Sequence, residues 1–325
     1  MPDDLPPGPP PGPRDPGDAW AYGPDGTKAW GVFGAAGLLV DDGHGRVLLQ
    51  HRVEWSHHGG TWGIPGGARH QHEDAVTGAL RESAEEAGVP LDGIDLRHTS
   101  VLDLGFWTYT TVVGRASAPF EPVISDRESL ALSWIPLAEV DALPLHPGFG
   151  ASWPALRDAI GTTPHVVVDA ANVVGSVPDG WWKDRAGAAS RLITEVTALA
   201  AVGLPADALE LGFTQWWPRW TVVLEGRAVD AADAAGAPAA AGGAAGGAAG
   251  AADVAGAGSR VGGLVSVERA AGSGDDAIVD AAAAALDAGH APVVVVTADR
   301  ELRERVTALG AAVSTRGPSW LRDRL

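Results

Sequence analysis

The stretch Gly66–Val89, GGARHQHEDAVTGALRESAEEAGV, limits this chain more than any other. Its periodicity predicts a helix from Asp74 to Ala87. Val76, Ala79, Leu80, Ser83 and Ala87 fall on one flank, and Gly88 sits where a helix stops. Glu82, Glu85 and Glu86 lie three and four residues apart, so their carboxylates are expected to share the opposite face. Like charges this close repel unless something neutralises them. A hard divalent cation does so, because Mg²⁺ takes carboxylate oxygens and bridges to substrate phosphates. A solvated acidic face is the alternative reading of the same residues, and the spacing of their neighbours decides between the two.

Counted from Gly67, the order is Gly, five residues, Glu73, seven residues, Arg81-Glu82, then Glu85-Glu86 and Gly88-Val89. This fills the pattern G-x5-E-x7-REUxEExGU, with one departure: Ser83 stands where U is usually aliphatic. Serine is small enough to pack there, as a slightly weaker helix anchor. On these residues the chain resembles the MutT/Nudix pyrophosphohydrolases over roughly residues 29 to 150.

The resemblance implies an α/β/α sandwich with a mixed sheet, and attack of water on a diphosphate joined to some other group X. It implies Mg²⁺ (or Mn²⁺) on Glu82 and Glu86, with Glu85 alternating between ligand and base. The Gly66 carbonyl matches a further metal ligand, and Arg81 with Glu73 a structural pair. Arg52 and His57 match positions from which relatives reach substrate phosphates. Glu128 lies where many supply another acidic ligand or base. Relatives that hydrolyse 8-oxo-dGTP can read the oxidised purine with an Asn late in the domain; the corresponding LPLHPGFGASWPAL has none. A nucleoside triphosphate, a nucleotide sugar and ADP-ribose stay open.

A chain of 325 residues has room for two cores. It has no cysteine, which excludes disulfides and thiolate zinc sites. No apolar run suits a signal peptide or a membrane span, so a cytoplasmic protein is the default expectation. A net charge of −18 argues against broad electrostatic binding to nucleic acid or anionic membrane, but not against a small anion held through metal.

Residues 1–28 are expected to form a disordered Pro-rich tail, most plainly over the first eighteen. Strands are expected over Trp30–Val40, Arg46–Arg52, Leu96–Leu102, Trp107–Gly114 and Ala131–Ile135. Residues 151–163 read as a linker with a short helix from Trp153. Beyond it, His165–Asp169, Trp220–Glu225, Leu264–Glu268 and Pro292–Asp299 read as strands between helices at Asp184–Gly203, Gly272 onward and Arg300–Leu309. Continuous apolar strands alternating with helices mean a doubly wound parallel sheet over residues 164–325. An Ala/Gly insertion at about 230–259 reads as a flexible loop.

In such sheets sites form at the carboxyl ends of strands. Asp169, Asp276 and Asp299 are expected there, with Asp275 beside them. VVVDAANVVG, GSGDDAIV and VVVVTADRE resemble the PIN-like (NYN-type) nuclease domains, which implies divalent metal on these acids and RNA as a possible partner. Helix caps are the plainer reading of the same aspartates. Trp181, Trp182, Lys183, Arg185, Trp216, Trp217 and Arg219 are candidates for base stacking and phosphate contact, or core. Three functions follow: a Nudix pyrophosphohydrolase with an accessory domain, a ribonuclease with a nucleotide-sensing half, and a non-enzymatic binder of ADP-ribose-like ligands. The full set of box glutamates favours the first.

Overall fold

The computed structural model describes residues 15–125, 127–178, 180–232 and 264–325. The chain divides into two compact units, one ending at Gly161 and the other beginning at Thr162.

In the first unit a hairpin precedes the main sheet. Strands β1 (Trp20–Tyr22) and β2 (Lys28–Trp30) pair antiparallel. Trp20 meets Trp30 edge to face at 5.2 Å, and Lys28 Nζ lies 4.5 Å from the Trp20 ring centre. Part of the expected tail therefore lies outside the described residues, but residues 20–28 belong to a hairpin. Cross-strand tryptophans and a turn closed by Gly23 N–H to Thr27 O, at 2.8 Å, offset the helix- and sheet-breaking composition around them.

The main sheet contains β3 (Ala35–Asp41), β4 (Arg46–Arg52), β5 (Trp62–Gly63), β6 (Gly66–Ala68), β7 (Ile94–Asp103), β8 (Thr108–Ala116) and β9 (Ser129–Pro136). Its order within this unit is β7-β8-β3-β4-β5, with β6 also on β3 and β9 on β4. Strand β3 is parallel to β8 and antiparallel to β4 and β6, so the sheet is mixed. All of β3 is buried, as its apolar run requires. Helix α1 (Ala75–Ala87) packs on β3, β6 and β8. Helix α2 (Pro147–Ala159) buries Phe149, Trp153 and Leu156. It starts six residues before the expected Trp153, because Pro147 at its first turn favours helix entry and the ring of His146 caps it.

The second unit holds β10 (His165–Asp169), α3 (Ala170–Gly175), α4 (Arg185–Val202), β11 (Arg219–Leu224) and β12 (Val265–Arg269). It continues with α5 (Gly274–Asp287), β13 (Val293–Val296), α6 (Arg300–Thr307), β14 (Val313–Arg316) and α7 (Pro318–Arg322). The five strands are all parallel, in the order β12-β11-β10-β13-β14. Val167, Val223, Val293 and Val295 form one core with Ile278, Ala281, Ala282 and Ala285 of α5. The order reverses between β10 and β13, which is where ligands bind in sheets of this kind. The expected Ala/Gly insertion lies almost wholly outside the described residues.

Candidate active site

Helix α1 begins where Asp74 accepts the Val76 and Thr77 N–H groups, each at 3.0 Å. It ends at Gly88, whose φ of 65° suits glycine. Ser83 is fully buried and donates its hydroxyl to Ala79 O at 2.6 Å. The serine in place of an aliphatic residue is thus satisfied within its own helix.

The three box carboxylates do not all lie on the face opposite the apolar flank, where they were expected. Glu86 falls on the buried flank at 7% exposure, the Glu85 side chain is 61% exposed, and Glu82 lies between these extremes. Glu86 Oε2 accepts the Gly66 N–H at 2.9 Å and faces Gln50 Nε2 at 3.4 Å. Gln50 is wholly buried and also donates to Ser129 Oγ at 2.8 Å. Its place in the site was not anticipated, although an amide inside the apolar run Val47–Gln50 was a visible signal.

Arg81 grips Glu73 in a two-point pair, Nε to Oε1 and Nη2 to Oε2, both at 2.9 Å. Its Nη1 reaches Glu82 at 2.8 Å and Glu85 at 3.3 Å. The guanidinium holds the Glu73 carboxyl below its ordinary range, while burial pushes the Glu82 carboxyl above it against the pull of Arg81. Two glycines make room for this arrangement. A methyl group on Gly67 would lie 2.7 Å from the Glu82 carboxylate, and one on Gly66 would lie 2.4 Å from Gly37 Cα.

These residues fit a hard divalent ion. The donors are all oxygen, Glu82 and Glu86 are withdrawn from water, and a single guanidinium faces Glu73, Glu82 and Glu85.

Arg52 sits at a bulge in the pairing of β4 with β9, its backbone tied to Thr61 O at 2.9 Å and to Gly60 N–H at 3.0 Å. Its Nε is buried without a hydrogen-bond partner among the described residues. The charge of Arg52 acts on His57 and His146, and also on the Tyr109 hydroxyl, which feels Glu82 and Glu86. Arg52 therefore lies within electrostatic reach of both the box and the histidine loop. His57 is exposed, and partial burial with neighbouring positive charge lowers its pKa. His146, less exposed, is lowered by burial to about 4. Glu128 is half-buried; its carbonyl accepts the Val53 N–H at 2.9 Å, next to the Ser129 that holds Gln50.

In the second unit Asp169 ends β10 and caps α3, accepting the Asn172 N–H at 3.0 Å, the Asn172 amide at 2.7 Å and the Thr297 hydroxyl at 2.8 Å. Asp299 caps α6. Asp276 turns instead to Arg305, with which it forms an ion pair. Burial first, then the negative charge of Asp299 and Asp169, pushes the carboxyl of the neighbouring Asp275 up. Trp216 and Trp217 are buried, at 1% and 4% exposure, with their indole N–H groups bonded to Gly212 O and Ala201 O, so they belong to the core. Trp182 is exposed at 56%, and Trp181 receives Arg185 on its ring.

Residues 33–156 match the NUDIX domain family. A Mycobacterium tuberculosis protein named "Putative 8-oxo-dGTP diphosphatase 3" is 49% identical over 161 residues, covering 46% of this chain and 74% of that protein. A "Nucleoside triphosphate pyrophosphatase/Nudix hydrolase fusion protein" of Bifidobacterium longum is 40% identical over 149 residues, 43% of this chain and 31% of its own. The crystal structure of RenU, a Nudix hydrolase from M. smegmatis, is 45% identical, with 44% of this chain and 94% of that one covered at a TM-score of 0.41. The match takes in the whole box and most of the M. tuberculosis relative, and the chain accordingly belongs to the Nudix hydrolase family, as an enzyme of the nucleotide pyrophosphohydrolase class.

Proposed function

We propose that the first unit hydrolyses a nucleoside triphosphate, with 8-oxo-dGTP the leading candidate, to the monophosphate and pyrophosphate. The observation that carries this reading is the half-buried Glu82 and buried Glu86 backed by Gly66, Gly67 and Gln50. The name of the M. tuberculosis relative supports a triphosphate over ADP-ribose. If the oxidised base is recognised, groups other than an Asn in residues 143–156 recognise it, because that stretch has none.

Glu82, Glu86 and the Gly66 carbonyl would hold Mg²⁺ (or Mn²⁺), which when bound offsets charge on the phosphate oxygens. Glu85 is the most exposed of the three carboxylates, so water reaches it freely, and it is proposed to take the proton. The water oxygen bonds to phosphorus, the bridging P–O bond opposite it breaks, and the bridging oxygen leaves with pyrophosphate. Arg52 and His57 are proposed to contact the phosphates, and Glu128 is the alternative proton acceptor. The hydrolase domain is proposed at residues 29–150, and 164–325 as an accessory domain.

The test is a product assay on the full chain with 8-oxo-dGTP, dGTP and ADP-ribose in Mg²⁺. The expected outcome is pyrophosphate and a monophosphate, with kcat/KM for 8-oxo-dGTP about tenfold or more above ADP-ribose, a difference of roughly 1.4 kcal/mol. Preference for ADP-ribose would contradict the substrate, and binding without turnover would support the non-enzymatic reading.

A second reading concerns the second unit alone: a PIN-like, metal-dependent ribonuclease. The mutual charge of Asp169, Asp275 and Asp299 favours it. RNA cleavage in Mn²⁺ by the full chain carrying Glu86→Gln, lost on Asp169→Asn, is the outcome it requires.

A further inference from the structure

His57, His58 and His146 each offer a ring nitrogen, and these atoms lie within 4.8 Å of one another, the sole such three-residue group among the described residues. Two segments far apart in sequence bring them together. Trp62 N–H donates to Pro144 O at 2.8 Å and His146 N–H donates to Trp62 O at 2.7 Å, which ties the start of α2 to the end of the histidine loop. The loop itself is tightly wound. Ser56 N–H bonds Val53 O at 3.1 Å, Gly59 N–H bonds Ser56 O at 2.9 Å, and Thr61 Oγ1 bonds His58 O at 2.6 Å. Gly59 leaves no room for a side chain, since a methyl there would lie 2.3 Å from Glu54 O. His58 takes a left-handed φ of 57°, which carries its ring beside those of His57 and His146, at centroid distances of 4.1 and 4.8 Å.

We propose that these three histidines bind a borderline divalent transition-metal ion of the Zn²⁺ kind. Three imidazole nitrogens with a fourth position left for solvent or an anion are a recurrent zinc arrangement, whereas Mg²⁺ takes oxygen. The donor chemistry is therefore orthogonal to that of the box carboxylates. His146 Nδ1 accepts the Gly148 N–H at 3.2 Å, so ligation through Nε2 moves the ring proton to Nδ1 and gives up that long capping bond. Arg52 and Lys28 act on His57 with positive charge, which an anion such as chloride or phosphate in the fourth position would offset. The inference stands apart from the choice of nucleotide substrate.

The experiment measures Zn²⁺ binding to the full chain by equilibrium dialysis under excess Mg²⁺, with Co²⁺ as a spectroscopic probe of nitrogen ligation. One equivalent is expected to persist under Mg²⁺, with visible bands of low-coordinate Co²⁺. His57→Gln and His58→Asn, both on exposed positions, should each weaken it by about a hundredfold or more, since loss of an outer partner of a metal ligand already costs 10–100-fold. Glu82→Gln should leave it intact. Zinc fully displaced by Mg²⁺, zinc retained by both histidine variants at wild-type affinity, or zinc lost in Glu82→Gln would each overturn the site.

Discussion

Gln50 has no exposed surface, and its amide lies between Ser129 Oγ and Glu86 Oε2. Replacing it with leucine removes the Gln50 amide donor from Glu86 while roughly keeping volume. Glu86 should then wander from its position, and kcat should fall by about tenfold with a smaller change in KM, as for an outer partner of a metal site. An unchanged kcat in Gln50→Leu would show that Glu86 keeps its position without the Gln50 amide. A second residue-scale prediction concerns His165, buried at 8% exposure between Thr221 Oγ1 and His290 Nδ1, each at 2.9 Å. Burial, followed by the charge of His290 and Arg219, lowers its pKa to about 4. Between about 4 and the ordinary value of about 6.5 the unfolded chain binds the proton and the folded chain does not. The contribution is therefore fully present above pH 6.5 and is lost as pH falls toward 4. Its size is on the order of 3 kcal/mol, for a fall from 6.5 to about 4 in a buried group. Melting curves at pH 4.5 and 7.5 should show a smaller acid loss for His165→Gln than for wild type; equal losses would remove His165 as a source of acid sensitivity.

At the scale of elements, the site depends on how closely α1 approaches β6. Gly67→Ala places a methyl 2.7 Å from the Glu82 carboxylate, which has to move because the β6 backbone is fixed by its pairing with β3. Hydrolysis should fall by about tenfold or more from a displacement of this kind, since a misplacement of an ångström can cost a hundredfold. The melting temperature should drop only a few degrees, and kinetics beside calorimetry separates the two. Retained hydrolysis would mean that Glu82 is not held where the reaction needs it. The helix itself was legible because its signals agree: apolar spacing, the Asp74 cap and the Gly88 stop. Which carboxylate it buries was less so. A three-and-four spacing puts the glutamates near one another, but only the passage of β6 over one flank withdraws Glu86 and leaves Glu85 in water. The hairpin of Trp20 and Trp30 was hidden for a related reason: the contacts that hold it are cross-strand and long-range, such as Trp20 on Trp30 and Trp107 Nε1 on Trp30 O, while the surrounding Pro and Gly argue locally against structure.

Across the whole molecule, the parallel sheet of the second unit was readable because strands buried on both faces need continuous valine runs, and Val166–Val168 and Val293–Val296 are such runs. The ion pair of Asp276 with Arg305 was not readable, because the two residues lie 29 positions apart and meet only through the packing of α5 and α6. The histidine group escaped notice in the same way. His146 stands 88 positions after His58, and only the bonds at Trp62 bring the two together. Among the described residues no helix is long and apolar enough to cross a membrane. The central claim is that buried carboxylates of α1 carry anhydride hydrolysis, and Glu86→Gln tests it most directly. Glutamine keeps the shape and the acceptor for the Gly66 N–H but removes the charge. Pyrophosphate release from 8-oxo-dGTP should be measured for both forms at saturating Mg²⁺, with circular dichroism confirming equal folding. A fall in kcat of about a hundredfold or more is the expected result, and a rate within a factor of about two of wild type would place the chemistry elsewhere in the chain.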